Sequence, residues 1–365
     1  MRTDKKNTDE NIAPAKKRQK SLRRSKKRKT FIILAILAIV CAAVLIGGYC
    51  FLLDKFNNMD YEDLTGADFD INTGVDEKLE GYRNILIVGL DTRENEDESY
   101  SKSDAIIIAT INEDTGKVRL TSVYRDTLLD LEEQEGEHRL DKLTHQYMYG
   151  GPLALIKTLN RNMDLNIKEY VKVNWETVAD ATDNMGGLEL TIKDYEIKEM
   201  NKYIKSTNKT LHGDKTKIKK AGKQTLNGIQ TVTYCRIRKV GNGDYERTER
   251  MRKTMKAAFQ KTKTMSLGEL NDLAEETLPE IGTNINGKKM VRLAIGALRY
   301  DLGKNSGWPY DVSEAVVDGV WYGPPVTLES NVKEMHRELF GQKNYEPTKK
   351  VKSINARIIE LTGVE

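Results

Sequence analysis

The chain has 365 residues, with 59 Lys plus Arg against 55 Asp plus Glu and a formal charge of +4. Residues 1–30 hold 13 Lys/Arg and 3 Asp/Glu, so this tail carries +10 and the remainder of the chain −6. Because the basic excess is confined to a tail that abuts a long apolar run, a wholly soluble protein is excluded and no nucleic-acid partner is expected.

The apolar run, FIILAILAIVCAAVLIGGYCFLL, occupies 31–53 and would span roughly 35 Å as a helix. A cleaved signal peptide normally has an apolar region of only ~7–15 residues ending in a small-residue site. Here the run is longer and ends in Tyr49, Cys50 and Phe51. It therefore reads as an uncleaved transmembrane signal anchor. The cationic flank KKRQKSLRRSKKRK places the N-terminus in the cytoplasm, against anionic lipid, and the following ~310 residues outside the cell membrane. No second run is long enough to span, which excludes polytopic transporters and channels. Cys235 is the one cysteine beyond the anchor, so the external part must be held by its core.

Residues 54–81, rich in Asp, Asn, Gly and Thr, read as a linker. NILIVGL (84–90) and AIIIATI (105–111) read as buried strands; NEDTG (112–116) is a turn, and VRLTSV (118–123) a hairpin partner. A helical stretch is expected around Lys142 to Tyr149 and from Pro152 to Asn162. EYVKVN (169–174), a helix from Trp175 to Met185 and LELTI (188–192) continue the alternation. Lys193 to Lys220 looks like an exposed Lys-rich excursion. Helices are expected over 224–239, 247–262, 267–276, 288–302, 330–340 and 351–361, with a strand-like stretch at 319–328. The pattern predicts an α/β fold, an α-β-α sandwich with a mixed central sheet, preceded by one N-terminal transmembrane helix. The expected divisions are a basic cytoplasmic tail (1–30), anchor (31–53), extracytoplasmic linker (54–81), catalytic domain (82–345) and its C-terminal helix (346–365).

No HExxH, GxSxG, CxxC or strand-following GxGxxG is present. GTNINGKK (282–289) approaches a phosphate-binding loop, but Lys289 stands where Ser or Thr is required. The four His (138, 145, 212, 336) lack ligand spacing, so no zinc site is expected. What remains is Asp and Arg at element ends. Asp91 and Arg93 follow the first buried strand and Asp104 precedes the second. Two such carboxylates suit Mg²⁺ (or Mn²⁺), which keeps waters and recruits substrate phosphates. Arg125 ends the third strand, Arg236 and Arg238 stand in YCRIRK, and Arg247 and Arg250 in GDYERTERMR. Guanidinium forks bind phosphate oxygens bidentately, so the set points to a pyrophosphate or polyphosphate site.

In order along 84–250 stand NILIVGLDTR, SKSDAIIIATINEDTGKVRLTSVYRDT, DKLTHQYMYGG, NMGGLELTI, AGKQTLNGIQ and YCRIRKVGNGDYERTER. Together with the anchor, these six pieces resemble the LytR-CpsA-Psr family of cell-envelope proteins. The resemblance implies a phosphotransferase that moves an anionic glycopolymer, such as wall teichoic acid or capsule, from a polyprenyl-pyrophosphate carrier to peptidoglycan. It implies that Asp91 and Asp104 hold Mg²⁺. Arg93, Lys102, Arg125, Lys142, Arg236, Arg238 and Arg247 would bind the pyrophosphate. Asp244 matches the family's GDxxR element, and Asp244 or Asp91 would be the base toward the acceptor hydroxyl. This chain departs from the family pattern at Thr92, Lys102 and Tyr124, where Ser, Arg and Pro are common. Two other readings stay open: a binding module or regulator without turnover, and a pyrophosphatase using water.

Overall fold

The computed structural model describes residues 46–91, 102–133, 136–214 and 216–364. The basic tail, most of the expected anchor, Thr92 and Arg93 lie outside these residues. The chain divides into two compact units, Met1–Asp54 and Lys55–Glu365. In the first, residues 46–54 are helical (α1). Among the described residues no helix is long and apolar enough to cross a membrane.

In the second unit the strands are β1 (Asp60–Tyr61), β2 (Tyr82–Leu90), β3 (Ser103–Asn112), β4 (Lys117–Val123), β5 (Leu128–Glu132), β6 (His138–Lys142), β7 (Glu169–Asn174), β8 (Leu188–Ile192), β9 (Gly222–Leu226), β10 (Gly282–Thr283), β11 (Asp301–Leu302), β12 (Ser306–Trp308), β13 (Ala315–Val317) and β14 (Val320–Tyr322). The helices are α2 (Val75–Lys78), α3 (Tyr147–Met163), α4 (Trp175–Asn184), α5 (Asp194–Leu211), α6 (Gly228–Arg236), α7 (Gly243–Thr262), α8 (Leu267–Thr277), α9 (Gly287–Ala297), α10 (Leu328–Phe340) and α11 (Lys349–Thr362).

The central sheet runs β1-β10-β7-β2-β3-β4-β11, with β12 also on β4. It is mixed: β2 pairs antiparallel with β3 and parallel with β7. Both faces of β2 and β3 are buried, which is why each reads as a continuous apolar run. Leu86, Val88, Ile106 and Ile108 pack with α3, α10 and α11. Ile85, Ile107, Ala109 and Ile111 point the other way, onto Trp175 and Ala179 of α4, Val232 of α6 and Met251 of α7. Helices thus cover the sheet on two sides. A third cluster joins the antiparallel pair β8–β9 to α5 and α6 through Leu188, Leu226, Met200 and Tyr234.

Several expectations are corrected. The expected linker is part of the packed unit: β1 pairs with β10, Val75 and Leu79 are buried, and the Asn72 amide donates to the Arg161 carbonyl at 2.9 Å. The expected excursion begins with α5, an amphipathic helix that buries Met200 and Ile204 beneath a Lys-rich outer side. The expected helix over 224–239 is three pieces: the end of β9, then α6 capped by Asn227, then an extended turn at Ile237. Lys142 closes a strand, and α3 is broken at Gly150 and Gly151 before Pro152 restarts it.

Candidate functional site

The site is built around an irregularity. β2 and β3 pair regularly up to Gly89 opposite Ala105, and the next pair is Leu90 opposite Ser103. Asp104 is the extra residue, and such a bulge re-aims a side chain at a strand end. Gly89 makes the close approach possible, since a Cβ there would lie 2.8 Å from that of Ala105. Asp104 is only 6% exposed, and three guanidiniums surround it. Arg125 donates to Oδ1 at 2.5 Å, Arg238 to Oδ2 at 2.8 Å, and Arg247 to Oδ2 at 3.2 Å and to the backbone carbonyl at 3.1 Å.

The three arginines arrive from separate elements: Arg125 after β4, Arg238 in the loop after α6, and Arg247 in the second turn of α7. Asp244, in the first turn of α7 where an anion suits the helix dipole, forms an ion pair with Arg247 at 2.8 Å and lies 3.9 Å from Arg238. Asp126 lies 3.6 Å from both Arg125 and Lys142. Arg236 stands 3.7 Å from Asp91, at the end of β2. The structure therefore brings together Asp91, Asp104, Arg125, Lys142, Arg236, Arg238, Asp244 and Arg247. Lys102 is exposed just before β3, and Arg93 lies outside the described residues.

Burial works against ionisation of Asp104, but Arg247, Arg125 and Arg238 overcome it and hold the carboxyl below its ordinary range. Burial also opposes charge on Arg125, which Asp104 more than offsets. The Nε–H groups of Arg125 and Arg247 are buried without a hydrogen-bond acceptor among the described residues. The same holds for Arg161, Arg250 and Arg252, so it is the convergence of guanidiniums at the strand end that suits an anion. Asp104 uses three of a carboxylate's roughly four acceptor positions, leaving about one. Among the described residues the ion-pair partner of Asp91 is Arg236, which at 3.7 Å is beyond hydrogen-bond reach. A pair of carboxylates so placed fits a cation such as Mg²⁺ that takes its remaining ligands from water and phosphate. Among the described residues four guanidiniums and Lys142 face four carboxylates, a nearly balanced set to which a dianionic pyrophosphate would favour bringing a cation.

Arg250, expected among the phosphate-binding guanidiniums, instead joins Glu196, Glu246 and Lys193 in holding the arginine loop in place. Arg250, fully buried, donates to the Ile237 carbonyl at 2.5 Å and to Glu196 at 3.1 Å. Glu246 accepts from Lys193 at 2.6 Å, from the backbone N–H of Asn242 at 3.0 Å and from Tyr195. Burial pushes Glu246 up, yet these donors bring its carboxyl down to about 2. The carboxylate lies against Gly241, whose positive φ of 61° suits glycine. Glu196 and Lys193 belong to the stretch that looked like an excursion, so only the 196/250 pairing in space identifies them.

Cys235 is no nucleophile. Burial pushes its thiol up to about 11, and its Sγ sits 3.3 Å from the Thr254 hydroxyl. Cys235→Ser is expected to leave turnover unchanged and to cost roughly 1 kcal/mol of stability, read by thermal denaturation.

The LytR_cpsA_psr family model matches residues 53–338. The polyisoprenyl-teichoic acid–peptidoglycan teichoic acid transferase TagU of Enterococcus faecalis is 26% identical over 299 residues, covering 79% of this chain and 91% of that protein. A structure of TagT bound to LIIa-WTA superposes with a TM-score of 0.58 at 22% identity, covering 72% of this chain and 91% of that one. The LytR-CPS2A-psr family protein YwtF (TagT) with bound octaprenyl pyrophosphate lipid gives a TM-score of 0.53 at 20% identity, covering 72% and 92%. With a family model matched over most of its length and a mixed α/β fold shared with these structures, the chain belongs to the LytR-CpsA-Psr family.

Proposed function

We propose that this protein is a membrane-anchored phosphotransferase that moves an anionic glycopolymer from a polyprenyl-pyrophosphate carrier to a peptidoglycan hydroxyl. The observation that carries the reading is the convergence of Arg125, Arg238 and Arg247 on Asp104. Relatives named as teichoic acid transferases, and a structural neighbour with bound octaprenyl pyrophosphate, support the class of carrier. The arginines hold the pyrophosphate oxygens and offset charge as it develops during in-line displacement. The acceptor oxygen forms a bond to the sugar-side phosphorus, the bond from that phosphorus to the bridging oxygen breaks, and polyprenyl phosphate leaves. The hydroxyl proton passes to a site carboxylate, Asp244 or Asp91. Asp91 and Asp104 would hold Mg²⁺, which when bound adds positive charge against the pyrophosphate. In this reading residues 31–53 anchor the chain, with the tail inside the cell and the described domain outside.

The test uses the full chain in detergent micelles with a short prenyl-pyrophosphate-linked saccharide and peptidoglycan fragments, with and without Mg²⁺. Mass spectrometry is expected to find a phosphodiester-linked conjugate that requires Mg²⁺ and that Asp91→Ala abolishes. Released prenyl phosphate without conjugate would identify a pyrophosphatase, and binding without either product a regulator. Protease added to intact spheroplasts is expected to digest the domain and spare the tail.

A further inference from the structure

Beside the arginine cluster lies a cleft of about 330 Å³ lined by Tyr124, Tyr245, Trp321, Asp126, Asn242 and Asp244. We propose that it seats an uncharged saccharide, the acceptor glycan, and so sets which hydroxyl meets the pyrophosphate. This assignment rests on the transferase reading above and names its second substrate site.

The walls are aromatic. Tyr124 and Tyr245 meet edge to face with ring centroids 4.5 Å apart, and Trp321 comes from the β13–β14 hairpin. Trp321 is 40% exposed, while the other two tryptophans of the chain, Trp175 and Trp308, are 8% and 0% exposed. Gly323 leaves room for its ring, since a Cβ there would stand 3.3 Å from Trp321 and 3.6 Å from Val312. Pyranose rings offer C–H faces to aromatic surfaces and hydroxyls at their edges, so a cleft of this size with carboxylate and amide groups matches one or two sugar rings.

The polar groups suit a neutral sugar. Among the described residues lining the cleft, Asp126 and Asp244 are acceptor-only groups that take hydrogen bonds from sugar hydroxyls, and Lys142 stands at the rim, 5.8 Å over the Trp321 ring. Both carboxylates face the cluster as well: Asp244 is 2.8 Å from Arg247, and Asp126 is 3.6 Å from Arg125 and from Lys142. A hydroxyl bonded to Asp244 thus lies beside the guanidiniums that bind the pyrophosphate. Its oxygen bonds to the sugar-side phosphorus as its proton passes to Asp244, and prenyl phosphate takes the electrons of the broken P–O bond. Asp91 does not line the cleft, so Asp244 is the carboxylate on the acceptor side.

The single exposed tryptophan permits a test that needs no turnover. In the full chain in detergent micelles, tri-N-acetylchitotriose is expected to protect tryptophan fluorescence from acrylamide quenching in a saturable manner. Inorganic pyrophosphate should give no such protection, and Trp321→Phe should remove the protected component. With peptidoglycan fragments as acceptor, Trp321→Ala is expected to raise the acceptor KM about tenfold and leave the donor KM unchanged. Protection only by the prenyl-pyrophosphate-linked saccharide would overturn the assignment in favour of the donor sugar. No protection by either saccharide would overturn it outright. Protection without any conjugate formed leaves the cleft and removes the transferase; conjugate formed with Trp321 unprotected does the reverse.

Discussion

Asp104→Asn is expected to destabilise the protein by roughly 3–5 kcal/mol and to abolish transfer, because it removes the one negative charge on which three guanidiniums converge. Arg247, 1% exposed, would keep its charge with Asp244 as its remaining partner. The carboxyl of Asp104 is held below its ordinary range in the fold, so its contribution is present above the unfolded value of about 3.9 and is lost as pH falls through the lower folded value. Thermal denaturation of the wild type should therefore show a fall in stability in the acid range below about pH 4 that is shallower in Asp104→Asn. Pyrophosphate gives a second readout. An anion that takes the place of the lost carboxylate should raise the melting temperature of Asp104→Asn more than that of the wild type. A variant with wild-type stability, or one indifferent to pyrophosphate, would remove Asp104 as the organising anion of the cluster.

The residue types of this site were legible because each stands at the end of an apolar run or a charged turn, where a strand or helix must stop. Their arrangement was not. Asp104 read as a cation ligand from its position before AIIIATI, but the one-residue bulge that turns it into three guanidiniums depends on the pairing of β3 with β2. Strands buried on both faces were readable for the same reason that they form the sheet: Ile85 and Leu86, or Ile107 and Ile108, serve opposite cores. Residues 54–81 misled because their polar, turn-rich composition hides anchors whose partners lie far off in sequence. Met59, Val75 and Leu79 are buried, Asn72 donates to the Arg161 carbonyl and to Asp164, and β1 pairs over two residues with β10, some 220 positions along the chain. In α5 the lysines outnumber the stripe of Ile197, Met200 and Ile204 that folds it. β5 escaped notice because LLDLE runs into further acidic residues, and its partner β6 carries only Leu140 as an apolar residue. Local composition in such segments reports the solvent face, while their structure is decided by a partner far off in sequence.

Arg250 and Glu196 offer the other large effect, and they separate positioning from stability. Both are buried, and Arg250 alone links Glu196 to the Ile237 carbonyl that divides Arg236 from Arg238. Arg250→Met leaves Glu196 with no counter-ion at hydrogen-bond distance and is expected to cost about 3–5 kcal/mol; Glu196→Gln leaves the guanidinium with Glu246 at 3.7 Å as its remaining counter-ion and should cost less. The double variant removes both charges, so its loss in chemical denaturation should be well below the sum of the two singles. Transfer should not recover with stability. Without the guanidinium the Ile237 carbonyl has lost its tether, the loop to Gly243 loosens, and Arg236 and Arg238 no longer hold their geometry against Asp91 and Asp104. The stabilised double variant should therefore show a raised KM for the pyrophosphate donor and an unchanged KM for the acceptor. Arg250→Lys, which keeps the charge but not the fork that reaches Glu196 and the carbonyl together, should restore stability in part and donor affinity little. If the double variant recovers both stability and donor KM, the buried pair serves packing alone and the arginine loop is held by Glu246 without it.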